Sequence, residues 1–207
     1  MEFQDLIKLL REHCNEYHFC KDGLKGVATA TSVEDCVALL RDNLVWCFDS
    51  PYHQAIADNL ENWFMFWPEA FHRCGIWVNE VPKKSGKGIM LCTREVYATP
   101  YGTNVIPVDS YQKCFVFGNM DLRVKAWHHA TIYCKNPSAE VYLRDNSVGY
   151  CKGVAQIHIW NHGCCFAEAS PITATDFAEV HATNDCNVFK SSYHCGKIEK
   201  IEKFNFQ

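Results

Sequence analysis

Val124-Lys-Ala-Trp127, Ile132-Tyr-Cys-Lys135, Val141-Tyr-Leu-Arg144, Gly149-Tyr-Cys-Lys152, Ile157-His-Ile-Trp160, Cys165-Phe-Ala-Glu168, Ile172-Thr-Ala-Thr175 and Val180-His-Ala-Thr183 are versions of one pattern that returns about every eight residues. In each, the first and third residues are apolar or small, whereas the second and fourth are mostly aromatic, charged or polar. Side chains alternate across a strand, so positions one and three share a face and become the inward residues of a short strand. The rest of each octad holds residues that accept tight turns (Asn136, Asp145, Gly153, Asn161, Asp176, Asn184), often followed by a small one such as Ala130, Ser147, Ala155, Gly163 or Ala178. This predicts a β-solenoid over about residues 103–207, with two or three octads, about 16 or 24 residues, in each turn. One extra residue near Pro137 and one fewer near Pro171 place irregular corners there.

Working backwards, Gly75–Asn79 and Ile89–Cys92 read as strands around the turn Lys83-Lys-Ser-Gly-Lys-Gly88. This is a hairpin over 71–102 that caps the apolar end of the coil. Residues 93–115 are broken by Pro100, Gly102 and Pro107. Residues 1–70 read as helical. Phe3, Leu6, Ile7, Leu10 and Cys14 form an apolar stripe over residues 3–18, and Asp22-Gly23 ends that helix. Thr31-x-x-Glu34 fits a capping box, Asp42 caps a short segment, and Ser50-Pro51 opens a helix to about Trp67. The run Trp63-Phe-Met-Phe-Trp67 reads as helix core. The expected class is α+β, mostly β.

The 207 residues, 48% of them hydrophobic, suffice for a sizeable core, and 21% charged residues exclude a disordered polyelectrolyte. Of the net charge of -4, residues 1–75 carry twelve acidic against six basic groups, so the acidity lies in the helical part. Neither a signal-like segment nor an apolar run near 18 residues occurs, and the expected location is the cytoplasm of a bacterial host. Thirteen cysteines then read as reduced, mostly buried thiols.

Phe117-Gly-Asn-Met120, His129-Ala-Thr-Ile132 and Asn146-Ser-Val148 resemble the units of short octad-repeat solenoid proteins of gut bacteria and their phages. Cys20-Lys-Asp-Gly-Leu24, Glu34-Asp-Cys36 and Leu44-Val-Trp-Cys47 resemble the small helical domain that often precedes such solenoids. The resemblance implies fold but no activity. By association it implies a phage-encoded inhibitor of a bacterial defence complex, such as an anti-CRISPR protein, whose acidic helices imitate phosphate charge.

The outward positions depart from that family and are the candidate site: Lys125 and Trp127, Tyr133 and Lys135, Tyr142 and Arg144, Tyr150 and Lys152, His158 and Trp160. Aromatic planes stack on flat partner groups and cations meet anions, so this pattern points to a binding face. The same rings also stabilise a sheet by stacking across strands. The function expected is non-enzymatic macromolecule binding. The expected partner is a protein or protein–nucleic acid complex, with no membrane; direct nucleic-acid binding is not favoured by the net charge. The alternatives are a β-helix enzyme acting on carbohydrate or nucleotide, and a solenoid that polymerises end to end with Ile198–Phe206 as cap or joint. No catalytic group, metal or cofactor is expected. Cys14/His18/Cys20 and His158/His162/Cys164/Cys165 lack zinc-site spacing, and Cys164 or Cys195 with His162 or His194 lacks an orienting third group.

Overall fold

The computed structural model describes residues 2–16, 21–82, 87–94, 104–191 and 196–206. The chain divides into two compact units, residues 1–76 and 77–207. In the first, the described residues form α1 (Phe3–Glu16), α2 (Lys21–Thr29), α3 (Val33–Asp42), α4 (Leu44–Asp49), α5 (His53–Phe66) and α6 (Pro68–Arg73). Leu6, Cys14, Val27, Val37, Leu44, Phe48, Leu60 and Phe71 are among the side chains that make its core.

Local chemistry moves several expected boundaries. Asp22-Gly23 lies inside the first turn of α2 and terminates nothing. The capping box exists one residue later than expected, because Ser32 Oγ accepts from the Asp35 amide and the Asp35 carboxylate accepts from the Ser32 amide. The same carboxylate also accepts from the Thr31 amide and hydroxyl, both at 2.8 Å, so Thr31 joins the cap as a donor. Asp42 ends α3, and Ser50 closes α4 before α5 starts at His53. Trp63 is buried as expected, but Met65 (61% exposed) and Phe66 (53%) face outward.

The second unit is a β-solenoid. Among the described residues one sheet has eight strands, in the order β1 (Ile76–Val78), β2 (Ile89–Cys92), β4 (Lys113–Val116), β6 (Thr131–Cys134), β8 (Val148–Lys152), β10 (Cys164–Glu168), β12 (Glu179–Ala182) and β14 (Ile198–Lys200). The other has six: β13 (Val188–Lys190), β11 (Ile172–Ala174), β9 (Gln156–Ile159), β7 (Ala139–Leu143), β5 (Leu122–Ala126) and β3 (Val105–Val108). From β2 to β14 the strand pairs are parallel, and successive strands alternate sheets, so two octads make one turn. The irregular octads set the pitch. Thr131 pairs with Val148, Val148 with Cys164 and Cys164 with Glu179, steps of 17, 16 and 15 residues that absorb the insertion near Pro137 and the deletion near Pro171.

The coil begins earlier than the octads suggest. β2 pairs with β4, so residues 89–92 already belong to the large sheet; most of the expected turn at Lys83–Gly88 lies outside the described residues. Pro107 sits within β3, the last described strand of the small sheet, a position where a residue without an amide hydrogen is best tolerated.

One corner repeats a four-residue turn whose first central residue is left-handed: His128, Asp145, Asn161 and Asp176 have φ of 54, 52, 54 and 56°. Asn and Asp tolerate that conformation better than most side chains. The fourth residues, Ala130, Ser147, Gly163 and Ala178, donate back to Trp127, Arg144, Trp160 and Thr175 and are buried, so the corner demands small side chains. Ala155, assigned to the same small set from sequence, is exposed at the other corner. There, buried Asn136 donates to the Met120 carbonyl at 2.7 Å and accepts from the Ser138 amide at 2.9 Å, joining two rungs.

At the first corner His128 Nδ1 lies 2.6 Å from the Asp109 carboxylate. That hydrogen bond raises the His128 pKa and lowers that of Asp109. The His128 contribution is present below its unfolded pKa of about 6.5 and fades as pH rises through the folded value. The Asp109 contribution is present above about 3.9 and is lost as pH falls through its folded value. The contact therefore supports the corner most between those limits. An NMR titration is expected to place the His128 midpoint above 6.5 and to return it towards 6.5 in Asp109→Asn; an unchanged midpoint in that variant contradicts the pairing.

Inward positions build a continuous core of which Val124, Ile132, Val141, Leu143, Ile157, Ile159, Val180 and Ala182 are part. The thiols of Cys92, Cys114, Cys134, Cys151 and Cys165 are buried in the same core, and the described cysteines are unbridged. Burial raises the Cys134 thiol pKa well above its ordinary value. In Cys114 and Cys151 a hydrogen bond to a neighbouring thiol, followed by burial, does the same. These cysteines behave as small hydrophobes, as expected from their inward positions.

Candidate binding face

Because strands alternate between sheets, the outward residues of consecutive octads do not share a face. Lys125, Trp127, Tyr142, Arg144, His158 and Trp160 come from β5, β7 and β9 or the residues just after them, on the small sheet. Tyr133, Lys135, Tyr150 and Lys152 come from β6 and β8, on the large sheet. The ten residues expected from the sequence to form one binding face lie in two ladders with different surroundings.

The large-sheet ladder is a stabilising stack. Phe115, Tyr133, Tyr150, Phe166 and His181 follow one another at centroid separations of 4.4, 5.1, 5.1 and 4.6 Å, each pair within 11° of parallel. Phe115 and Tyr133 are 1% and 3% exposed, and burial pushes the Tyr133 phenol up to about 12. The end of the chain helps to cover them. Phe206 lies 6.4 Å from the Tyr133 ring, Lys135 Nζ sits 4.9 Å from the Phe206 centroid, and Phe204, buried, packs edge-on against Phe206. Ile198–Lys200 forms β14, the last described strand of the large sheet, and the residues after it bring Phe206 back to the outer face of that sheet. Lys152 is committed to Glu168 at 2.9 Å.

The small-sheet ladder borders a groove of ≈ 310 Å³ lined by Arg123, Lys125, Ala126, Trp127, Tyr142, Arg144 and Trp160. Register aligns Lys125 with Tyr142 and Tyr142 with His158. Tyr142, His158 and Trp160 stack mutually at 4.7–5.7 Å and within 15°. Lys125 Nζ stands 5.8 Å from the Tyr142 ring and the Arg144 guanidinium 4.8 Å from the Trp160 ring. Cation–π contact at such half-exposed sites contributes about 0.5–1 kcal/mol, enough to orient the cations while leaving their charge in reach of an anion.

Two residues of this face were not singled out from sequence. Glu140 accepts from the Tyr142 hydroxyl at 2.6 Å and from Arg123 Nε at 3.2 Å. The Tyr142 bond lowers the Glu140 pKa, and the same bond, followed by burial, raises that of Tyr142. Burial lowers the His158 pKa, so this ring is neutral at pH 7. Arg123 and Glu140 immediately precede position one of their octads, and carrying the alternation back by one residue identifies both as outward. Among the described residues the groove lining holds no carboxylate, and Glu140 beside it is tied to Arg123 and Tyr142.

No protein family, curated protein or solved structure matches the chain. Function therefore rests on the site's own chemistry.

The other sequence candidates disperse. His158 belongs to the small sheet, His162 stacks on exposed Phe177 at a corner, Cys164 faces outward on the large sheet and Cys165 inward. Cys164 therefore lies apart from His162 in role, and burial pushes its thiol up to about 11, unsuited to nucleophilic attack. Tyr17–Cys20 and residues 192–195, which hold His18, Cys20, His194 and Cys195, lie outside the described residues. Among the described residues no helix is long and apolar enough to cross a membrane.

Proposed function

We propose that the protein is a non-enzymatic binding module that engages an anionic partner macromolecule through the outer face of its small sheet. The supporting observation is the groove in which Lys125 and Arg144 stand beside Trp127, Tyr142 and Trp160, while Arg123 and Glu140 compensate each other's charge. On a chain of net charge -4 this is a locally cationic and aromatic surface, which suits a carboxylate- or phosphate-bearing partner presenting flat groups. An anti-defence role in a phage remains the reading of the resemblance alone.

The test compares wild type with Lys125→Glu/Arg144→Glu and with Trp160→Ala for capture of acidic peptides and of single-stranded oligonucleotides, each over a range of salt. Loss of about tenfold in affinity in both variants, with unchanged circular dichroism, is expected for one ligand class, and the steeper salt dependence identifies which. Wild-type binding that both variants retain overturns the assignment. His158 adds its charge only below pH 6.5, so affinity should rise as pH falls through its lowered pKa, and His158→Gln should flatten that rise.

A further inference from the structure

The outer face of the large sheet carries, at its last rungs, a cluster unrelated to the groove. Cys164 pairs in register with Glu179, and His181 with Glu199, so an outward thiol, two carboxylates and an imidazole occupy two adjacent rows. The Cys164 sulfur, a Glu179 carboxylate oxygen and a His181 ring nitrogen all lie within 4.8 Å of one another. His181 is set by its surroundings. Its ring stacks on Phe166 at 4.6 Å, its side chain is only 13% exposed, Nε2 lies 2.9 Å from Glu179 Oε1, and Nδ1 lies 3.2 Å from Glu199 Oε2. Glu199 is in turn held by Lys197 Nζ at 2.7 Å.

We propose that Cys164, Glu179 and His181 form a binding site for a zinc-type divalent ion, with Glu199 as the carboxylate that orients the histidine. Thiolate, imidazole and carboxylate together are a donor set suited to a borderline ion such as Zn²⁺ and unsuited to Mg²⁺ or Ca²⁺, which take oxygen ligands. Zinc-bound histidines characteristically pass their second N–H to a carboxylate, and His181 has that arrangement: Nε2 faces Glu179 on the cluster side while Nδ1 meets Glu199. Tetrahedral zinc with bonds of about 2.0–2.3 Å brings its donors to roughly 3.5 Å apart, so closure needs about an ångström of rotamer adjustment in Cys164 and Glu179, on strands that are otherwise fixed. Binding forms bonds from the metal to Cys164 Sγ, His181 Nε2 and a Glu179 carboxylate oxygen, and releases to solvent the thiol proton and the hydrogen that Nε2 shares with Glu179. Lys197, 4.0 Å from Glu179 and bonded to Glu199, then serves only the outer carboxylate. Three protein ligands leave a fourth position for water or an incoming group.

The full reduced chain titrated with Co²⁺ reports on this directly, because cobalt absorbs differently with and without a thiolate ligand. The expected result is one equivalent bound with a sulfur-to-cobalt charge-transfer band, bleached by Zn²⁺. The band should be lost in Cys164→Ser and the affinity lowered about 10–100-fold in Glu199→Gln. Absence of the band in wild type, or its survival in Cys164→Ser, overturns the proposal. Glu179→Gln, which keeps shape and removes charge, provides the same decision should the serine variant fold poorly, because an unaltered titration there is equally fatal.

Discussion

Leu143→Ala is expected to lower stability by about 2–5 kcal/mol, and Gly149→Ala in the same chain is expected to restore part of it. Leu143 is 0% exposed at the end of β7. Its side chain crosses the interior to the position where Gly149 of β8 lacks one: a Cβ on Gly149 would come within 2.7 Å of Leu143 Cδ1. The leucine occupies the room that the glycine leaves. Truncating Leu143 costs transfer free energy and leaves a cavity that the hydrogen-bonded rungs cannot close. Adding a methyl at Gly149 alone overpacks the same spot, at about 1–3 kcal/mol. Combined, the added methyl refills part of the space that the three lost carbons leave, so their effects should be less than additive. Urea unfolding of the four proteins in the cycle measures this; strict additivity would show that the two side chains do not share the space.

Tyr133→Ala is expected to cost about 3–5 kcal/mol, the range for losing a buried aromatic ring. Although Tyr133 occupies an outward position, it is 3% exposed and stacks on Phe115 at 4.4 Å and Tyr150 at 5.1 Å. Its removal separates Phe115 from the rest of the ladder and takes away the ring against which Phe206 lies. Tyr133→Phe should cost much less than Tyr133→Ala, since stacking and most of the burial survive the loss of the hydroxyl. Tyr142→Ala, at the equivalent position on the small sheet, should cost distinctly less, because that ring is only half-buried. Thermal denaturation of the three variants decides; equal losses at 133 and 142 would mean that the two faces are energetically alike.

The difference between those faces explains what the sequence could convey. The inward positions were legible because alternation is a local property: Val141, Leu143, Ile157 and Ile159 point inward whatever the number of octads in a turn. The unequal steps were legible too, because an inserted or deleted residue has nowhere to go except a corner. Which outward residues meet was not legible, since that depends on whether two or three octads close a turn. With two, Tyr142 reaches His158; with three it would reach Phe166, and octad spacing is the same in either case. The cap shifted by a residue because the Ser32 hydroxyl accepts from the Asp35 amide, while the neighbouring Thr31 hydroxyl donates to the Asp35 carboxylate. The Cys164–Glu179–His181 cluster was hidden for the same reason as the groove, because its members are joined by register across strands 15 residues apart.

The backward fold of the last residues alters how the solenoid responds to stress. A coil of stacked turns is a row in which each rung knows only its neighbours, so that fraying starts at an end and runs inward one rung at a time. Here Phe206 reaches from beyond β14 to Tyr133 and Lys135 beside β6, skipping β8, β10 and β12. The last turn cannot detach while that clasp holds, and opening the clasp uncovers a ring near the middle of the row. The terminal rungs are thereby tied to the fate of the centre, and the C-terminal half of the row melts as a loop with both ends fastened instead of as a thread pulled from one end.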